Sequence, residues 1–216
     1  MYIARWSKPE ISNAVQELSR FGLRAHVEAM TRVMDYCVNS REYGLVLKPF
    51  GKWNGRVDCE KFVITGVLDS DYAKDIKTKR IVSGYSVFLN GAQVVMKSKM
   101  QDSVTLSLTE AELVVATHCA QEMLYVKTVI EFIRLKVQLP MKLMVYNKGP
   151  MDWVNGWGVG GRTRHIGVRF LYLRELKEKN IAVIEWIKSE INQSDLFTKN
   201  LNNELFRKHS DVFCEG

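Results

Sequence analysis

Cysteine is scarce in this chain, and the little there is carries no pattern. The four cysteines, Cys37, Cys59, Cys119 and Cys214, are far apart, form no C-x-x-C pair and have no histidine at zinc spacing. That argues against a zinc module and a disulfide scaffold, and it leads us to expect a reduced, intracellular compartment, cytoplasmic or nuclear. Long apolar runs are missing as well. None approaches the roughly 20 residues of a membrane span, and Met1-Tyr2-Ile3-Ala4-Arg5-Trp6 is no signal peptide, so no membrane partner is expected. Internal repeats and low-complexity stretches are absent, which removes solenoid architectures. Acidic residues are outnumbered, 24 against 31 lysines and arginines, leaving a net charge of +7. Such a balance favours an anionic partner, because side chains that neutralise phosphates release condensed counterions.

What remains is an ordinary globular composition, 46% hydrophobic and 25% charged over 216 residues. It can bury the core of one domain, or of one domain plus an appendage. Pro9 is a good first helical residue, and Ile11, Ala14, Val15, Leu18 and Phe21 then recur at helical spacing up to Gly22. A second stripe, Val27, Met30, Val33, Met34 and Cys37, ends near Asn39-Ser40. Residues 43–48 read as a strand. The turn-rich run from Pro49 to Gly55 then marks a boundary, giving an N-terminal helical extension (1–55), a main domain (56–200) and a tail (201–216).

In the main domain, 62–68, 83–89 and 94–97 read as strands, with Asn90-Gly91 a hairpin signal between the last two. A long helix over 109–136, a strand at 142–146, a short helix near 151–154, a helix over 168–179 and a strand at 182–187 follow. Antiparallel strands followed by helix, strand, helices and strand predict an α/β domain built on a five-stranded mixed sheet flanked by helices.

Three carboxylates stand at ends of these elements: Asp69 where the first strand runs out, Glu112 early in the long helix, and Asp195 at the start of a last short helix. Acids from separate segments can meet at strand ends of such a sheet. Two divalent ions about 4 Å apart, held by three or four carboxylates, can clamp a phosphodiester. One acid of such a set is missing, since the strand at Leu143-Met144-Val145 runs into Tyr146 and Asn147.

Each acid also has a plainer reading. Glu112 follows Thr109 at capping-box spacing, Asp69 and Asp71 suit a turn, and Asp195 suits a helix start. Tyr146 can be an aromatic that fills the space left by absent ions. Arg162, Arg164, His165 and Arg169, close in sequence to Trp153 and Trp157, form a basic patch with aromatics, or else a solvated loop and helix face. Lys97 and Lys99 alternate on a strand and can face one side together. Gly156 to Gly161 spells G-x-G-x-x-G but follows a helix, so a loop is expected and not a dinucleotide site. His118 and Cys119 are expected to pack inside the long helix. His209 and Cys214 fall in the tail.

Ordered blocks along nearly the whole chain carry a resemblance. They are Trp6-Ser7-Lys8-Pro9-Glu10-Ile11, Leu18-Ser19-Arg20-Phe21, Tyr43-Gly44-Leu45, Asp69-Ser70-Asp71-Tyr72-Ala73, Ser83-Gly84-Tyr85 and Lys97-Ser98-Lys99. Leu106 to Glu112, Asn147-Lys148-Gly149, Arg162-Thr163-Arg164-His165-Ile166, Arg174-Glu175 and Asp195-Leu196-Phe197-Thr198-Lys199 complete the set. From about Met1 to Leu201 the chain resembles the end of reverse transcriptase followed by ribonuclease H in polyproteins of copia-type long-terminal-repeat retrotransposons.

The resemblance implies a ribonuclease H-like fold, with 1–55 a remnant of the reverse transcriptase C-terminal region. It implies cleavage of RNA–DNA hybrids with Mg2+ or Mn2+ if the domain is active, with Asp69, Glu112 and Asp195 as catalytic metal ligands. Lys97, Lys99, Arg162, Arg164 and His165 become candidate substrate contacts. The family has Asp where this chain has Tyr146. Gly167 also stands where Asp is usual, and Leu171 where His is frequent. A phenol stays neutral near pH 7. If losing one ligand costs about 4 kcal/mol at the transition state, the rate falls roughly a thousandfold. The expected function is a degenerate domain that still binds RNA–DNA hybrid or other nucleic acid. The alternatives are an active enzyme with Asp71, Asp152 or Glu110 supplying the lost ligand, and a domesticated module that binds a protein partner through its N-terminal helices.

Overall fold

The computed structural model describes residues 2–20, 26–48, 61–71, 81–101, 107–156 and 164–216, with the backbone alone for Trp153, Asn155, Arg164, His165 and Ile166. The expected boundary at residue 55, Arg162, and most of the Gly156–Gly161 string lie outside these residues.

The α/β expectation holds, and the arrangement is ribonuclease H-like. Strands β3 (Ile64–Asp71), β4 (Val82–Leu89) and β5 (Ala92–Met100) form an antiparallel meander. Its β4–β5 hairpin turns on Asn90 and Gly91, whose positive φ values of 48° and 85° suit the pair foreseen for it. Helix α4 (Leu108–Phe132) crosses back, and β7 (Met141–Val145) then lies parallel to β3. After α5 (Lys148–Asn155) and α6 (Arg164–Glu178), β8 (Ala182–Trp186) adds in parallel to β7. The sheet order is β5-β4-β3-β7-β8. A short parallel pair, β2 (Lys61–Phe62) with β6 (Lys136–Val137), stands apart from it.

The two faces of the sheet carry separate cores. Ile64 and Leu68 of β3 pack with Leu113, Ala116 and Met123 of α4 and with Phe170 and Leu173 of α6. Alternation along the strand turns Val67 to the opposite face, where it meets Leu196, Phe197, Phe213 and Cys214. Gly66 lets α4 close on β3: a Cβ there would lie 2.6 Å from Met123 Sδ and 2.7 Å from Cys119 Sγ.

The second core joins segments far apart in sequence. Helices α1 (Tyr2–Trp6), α2 (Ser12–Leu18) and α3 (Val27–Asn39) precede β1 (Gly44–Leu45), which pairs with β9 (Cys214–Glu215) beyond α7 (Asn203–Ser210). The first helix foreseen after Pro9 is in fact a 3-10 turn, Pro9–Ile11, leading into α2. Lys8 is buried at this junction. Its ammonium donates to Ser40 O at 2.6 Å, to Ser40 Oγ at 3.0 Å and to the carbonyl of Tyr43, and it lies 3.8 Å from the buried carboxylate of Glu10. Glu10 in turn accepts from the Tyr36 hydroxyl and the Cys214 thiol. One face of α3 stays open, with Val27, Met30, Met34 and Val38 exposed.

A carboxylate cluster closed by a lysine

The candidate site is assembled by the segment that follows β8. Asn192 begins it, fully buried, donating to Leu68 O at 3.2 Å and accepting from the Ser194 hydroxyl and backbone N–H. A 3-10 turn, Gln193–Phe197, then lies across β4, with Asp195 in its first turn. Gly84, the register partner of Asp69 on β4, permits this approach. A Cβ at Gly84 would lie 2.6 Å from Thr198 Cγ2 and 2.8 Å from Phe197 Cβ.

Asp69 is buried on β3 and its oxygens are occupied. The Thr198 hydroxyl donates to Oδ2, and the Lys199 ammonium lies 3.3 Å from both oxygens. The same ammonium is 2.8 Å from Asp195 Oδ1. Lys199 therefore bridges the two aspartates. Burial alone would lower its pKa, but the charges of Asp69 and Asp195 and their hydrogen bonds outweigh this and raise it. Asp195 is pushed up to about 6, by burial first and then by the Asp69 charge, with Lys199 pulling the other way.

Glu112 sits one turn into α4, buried, and is pushed up to about 8 by burial and then by Asp69. Asn147 supplies it with backbone and side-chain hydrogen bonds, while its Oε2 has no partner. The capping-box reading of Glu112 gives way to a different cap. Ser107 Oγ accepts from Glu110 N at 3.1 Å, so Glu110 holds the third helical position after the cap. Glu110 is buried there, not turned to water.

Tyr146 follows β7 directly and is 43% exposed. The expectation that its ring fills the space between the acids is corrected here. The Lys199 ammonium takes that place and lies 6.0 Å from the Tyr146 ring centroid. Gly167 and Leu171 are one turn apart on α6; a Cβ at Gly167 would meet nothing within 4 Å, and Leu171 is exposed. Strand β3 runs on to Asp71, which puts Asp71 on the face of Asp69, and its charge reaches Asp195. Asp152 is exposed on α5.

Among the described residues no group of three His, Cys, Asp or Glu is arranged to hold a metal ion. Glu112 offers one free oxygen, but Asp69 is already bonded to Thr198 and Lys199, and a tyrosine stands at the third position. This set does not fit a two-ion centre.

The basic candidates are brought together in part. Lys97 and Lys99 are exposed on β5, and with Arg169 of α6 they lie close enough to His118 of α4 to lower its pKa, after the larger effect of desolvation. His118 is exposed by area, so the expectation that it packs inside the helix fails for it and holds for its buried neighbour Cys119. Cys119, one position on, turns into the core. For Arg164 and His165 only the backbone, at the start of α6, is described.

Sequence reasoning missed Asn147, Asn192, Thr198 and Lys199 as members of the site. The Asp195/Lys199 pair is spaced i,i+4, and that signal was available. The reach of Lys199 across to Asp69 had none, because the strand and the turn meet only in the fold.

Taken together, the strand order and the acids at its centre define a ribonuclease H-like α/β domain. Its relatives by sequence include retrovirus-related Pol polyproteins of plant transposons. It is 27% identical over 228 residues to the Pol polyprotein of transposon TNT 1-94 from Nicotiana tabacum, covering 98% of this chain and 16% of that protein. Against the Pol polyprotein of transposon RE1 from Arabidopsis thaliana the identity is 24% over 209 residues, covering 95% of this chain and 14% of the relative. The chain thus spans a small part of the polyproteins it matches. A secreted RxLR effector protein 161 of Plasmopara viticola is 34% identical over 125 residues, 56% of this chain and 82% of the effector. No family model matches the chain.

Among solved structures, the N-terminal RNase H domain of a Mycobacterium tuberculosis protein aligns at a TM-score of 0.48 and 10% identity, covering 70% of this chain and 98% of that one. LC11-RNase H1, isolated from compost, aligns at 0.46 and 14% identity, covering 68% and 96%. The fold assignment rests on the strand order and not on these partial superpositions.

Proposed function

We propose that this is a copia-type ribonuclease H-like domain with a degenerate catalytic set, binding RNA–DNA hybrid or other nucleic acid with weak or no cleavage. In this reading residues 1–55 descend from the end of a reverse transcriptase and 56–200 are the ribonuclease H unit. Asp69, Glu112 and Asp195 are what remains of the metal-ligating acids, with Tyr146 in place of the third in chain order. The observation that carries it is Tyr146, a phenol directly after β7 where the family has Asp, facing a Lys199 ammonium that bridges Asp69 and Asp195. Binding is supported by the net charge of +7 and by Lys97, Lys99 and Arg169 gathered around His118. LC11-RNase H1 has been solved in complex with RNA/DNA hybrid.

A gel-based assay of hybrid cleavage in Mg2+ and in Mn2+ tests the reading. The expected rate lies roughly a thousandfold below that of an intact ribonuclease H, and Tyr146→Asp raises it. Turnover near the intact rate refutes degeneracy. In that event Asp71, on the face of Asp69, is the residue best placed to supply the lost ligand, and Asp71→Asn abolishes the activity. The open stripe on α3 supports a domesticated protein-binding role as a second reading. Pull-down without any hybrid binding would favour it.

A further inference from the structure

The most unusual group in the site is not an acid. Lys199 leaves the 3-10 turn one residue after Thr198, and its backbone N–H donates to Asp195 O at 2.8 Å, which fixes the start of its side chain. The ammonium then contacts Asp195 Oδ1 at 2.8 Å and both Asp69 oxygens at 3.3 Å. The side chains of Asp69 and Asp195 are 3% and 10% exposed, whereas that of Lys199 is 34% exposed and remains in touch with water.

We propose that the Lys199 ammonium is the resident cation of this site, holding Asp69 and Asp195 together in place of a divalent metal ion. This deepens the degenerate reading and rests on taking the two aspartates as remnants of a metal-binding set. Two close carboxylates need a positive partner. A tethered ammonium provides one at no cost in dehydrating a free ion, whereas Mg2+ demands near-octahedral oxygen ligands at about 2.0–2.1 Å. Asp69 and Asp195 present that geometry only if Lys199 swings away and Thr198 releases Oδ2.

Tyr146 fits the same arrangement. An acid at its place would add a third negative charge that one ammonium does not balance. The aromatic ring attracts the cation through its quadrupole and brings no formal charge of its own at neutral pH.

Mn2+ titration of the full chain, read by paramagnetic broadening of amide NMR signals, tests the proposal. In the wild-type protein, signals around Asp69 and Asp195 stay sharp at millimolar Mn2+. Lys199→Met should bind Mn2+ there at least about tenfold more tightly than wild type, and its Tm should rise with Mn2+ where the wild-type Tm does not. Lys199→Arg keeps the charge and should behave as wild type. Site-local broadening of the wild type at micromolar Mn2+, or equal affinity in wild type and Lys199→Met, overturns the proposal. Should Lys199→Met fail to fold, the wild-type titration alone decides. Hybrid binding measured in EDTA on the same proteins bears on the nucleic-acid reading only, so the two failures are distinguishable.

Discussion

Glu112 shows how a single side chain can set the response of the molecule to pH. Its carboxyl is raised from an ordinary 4.5 to about 8 by burial and by Asp69. A raised acid binds more protons folded than unfolded, so its contribution is complete below about pH 4.5 and is lost as pH climbs through 8. Asp195, raised from 3.8 to about 6, adds a loss of the same sign across a lower window. Glu112→Gln keeps the shape without the charge. It should flatten the decline between pH 5 and 8 and gain on the order of 2 kcal/mol over wild type at pH 8, measured by urea denaturation at several pH values. A steeper decline in the variant would show that Glu112 is charged in the folded state. The acids themselves stood out in the sequence. Asn147 and Thr198, which hold them, did not, because short polar residues at turns carry no signal of a partner beyond a neighbour or two.

At the scale of elements, the meander, the crossover helix and the two parallel strands were all legible, since alternation and helical period are local properties of the chain. Boundaries shifted by a few residues: the strand expected over 43–48 is only Gly44–Leu45, and the helix foreseen from 168 begins at Arg164. What the sequence did not carry is how tightly the Gln193–Phe197 turn seats on β4. That depends on the missing side chain of Gly84, more than a hundred positions upstream. Gly84→Val forces Thr198 and Phe197 off the strand and should cost about 2 kcal/mol. A fall in Tm with loss of the Lys199 contacts in NMR checks it; an unchanged Tm would mean that the turn yields freely.

Across the whole molecule, the positive balance could be read at once, but not where it gathers. Lys97 and Lys99 come from the meander and Arg169 from a helix some seventy positions later, and only the closed sheet brings them to one rim around His118. If that rim meets phosphates, Lys97→Gln with Lys99→Gln should lower the slope of log affinity against log salt by roughly 1 to 2, followed by fluorescence anisotropy with a labelled hybrid. An unchanged slope removes both lysines from the interface. The expected tail at 201–216 proves to be woven into the second core through Phe213 and Cys214. Local pattern gave no sign of this, since β9 has only two residues and its partner β1 lies at the other end of the chain.

The buried ammonium of Lys8 has a practical consequence. A buried ammonium held by two carbonyls and a hydroxyl is shielded from an acylating reagent, so in the intact fold Lys8 should be among the last lysines to react with an N-hydroxysuccinimide ester. Its modification, followed by peptide mass spectrometry over time, becomes a clock for the parting of the α1–α3 segment from the C-terminal strand. Rapid acylation under native conditions would show that this seam opens while the central sheet stays closed.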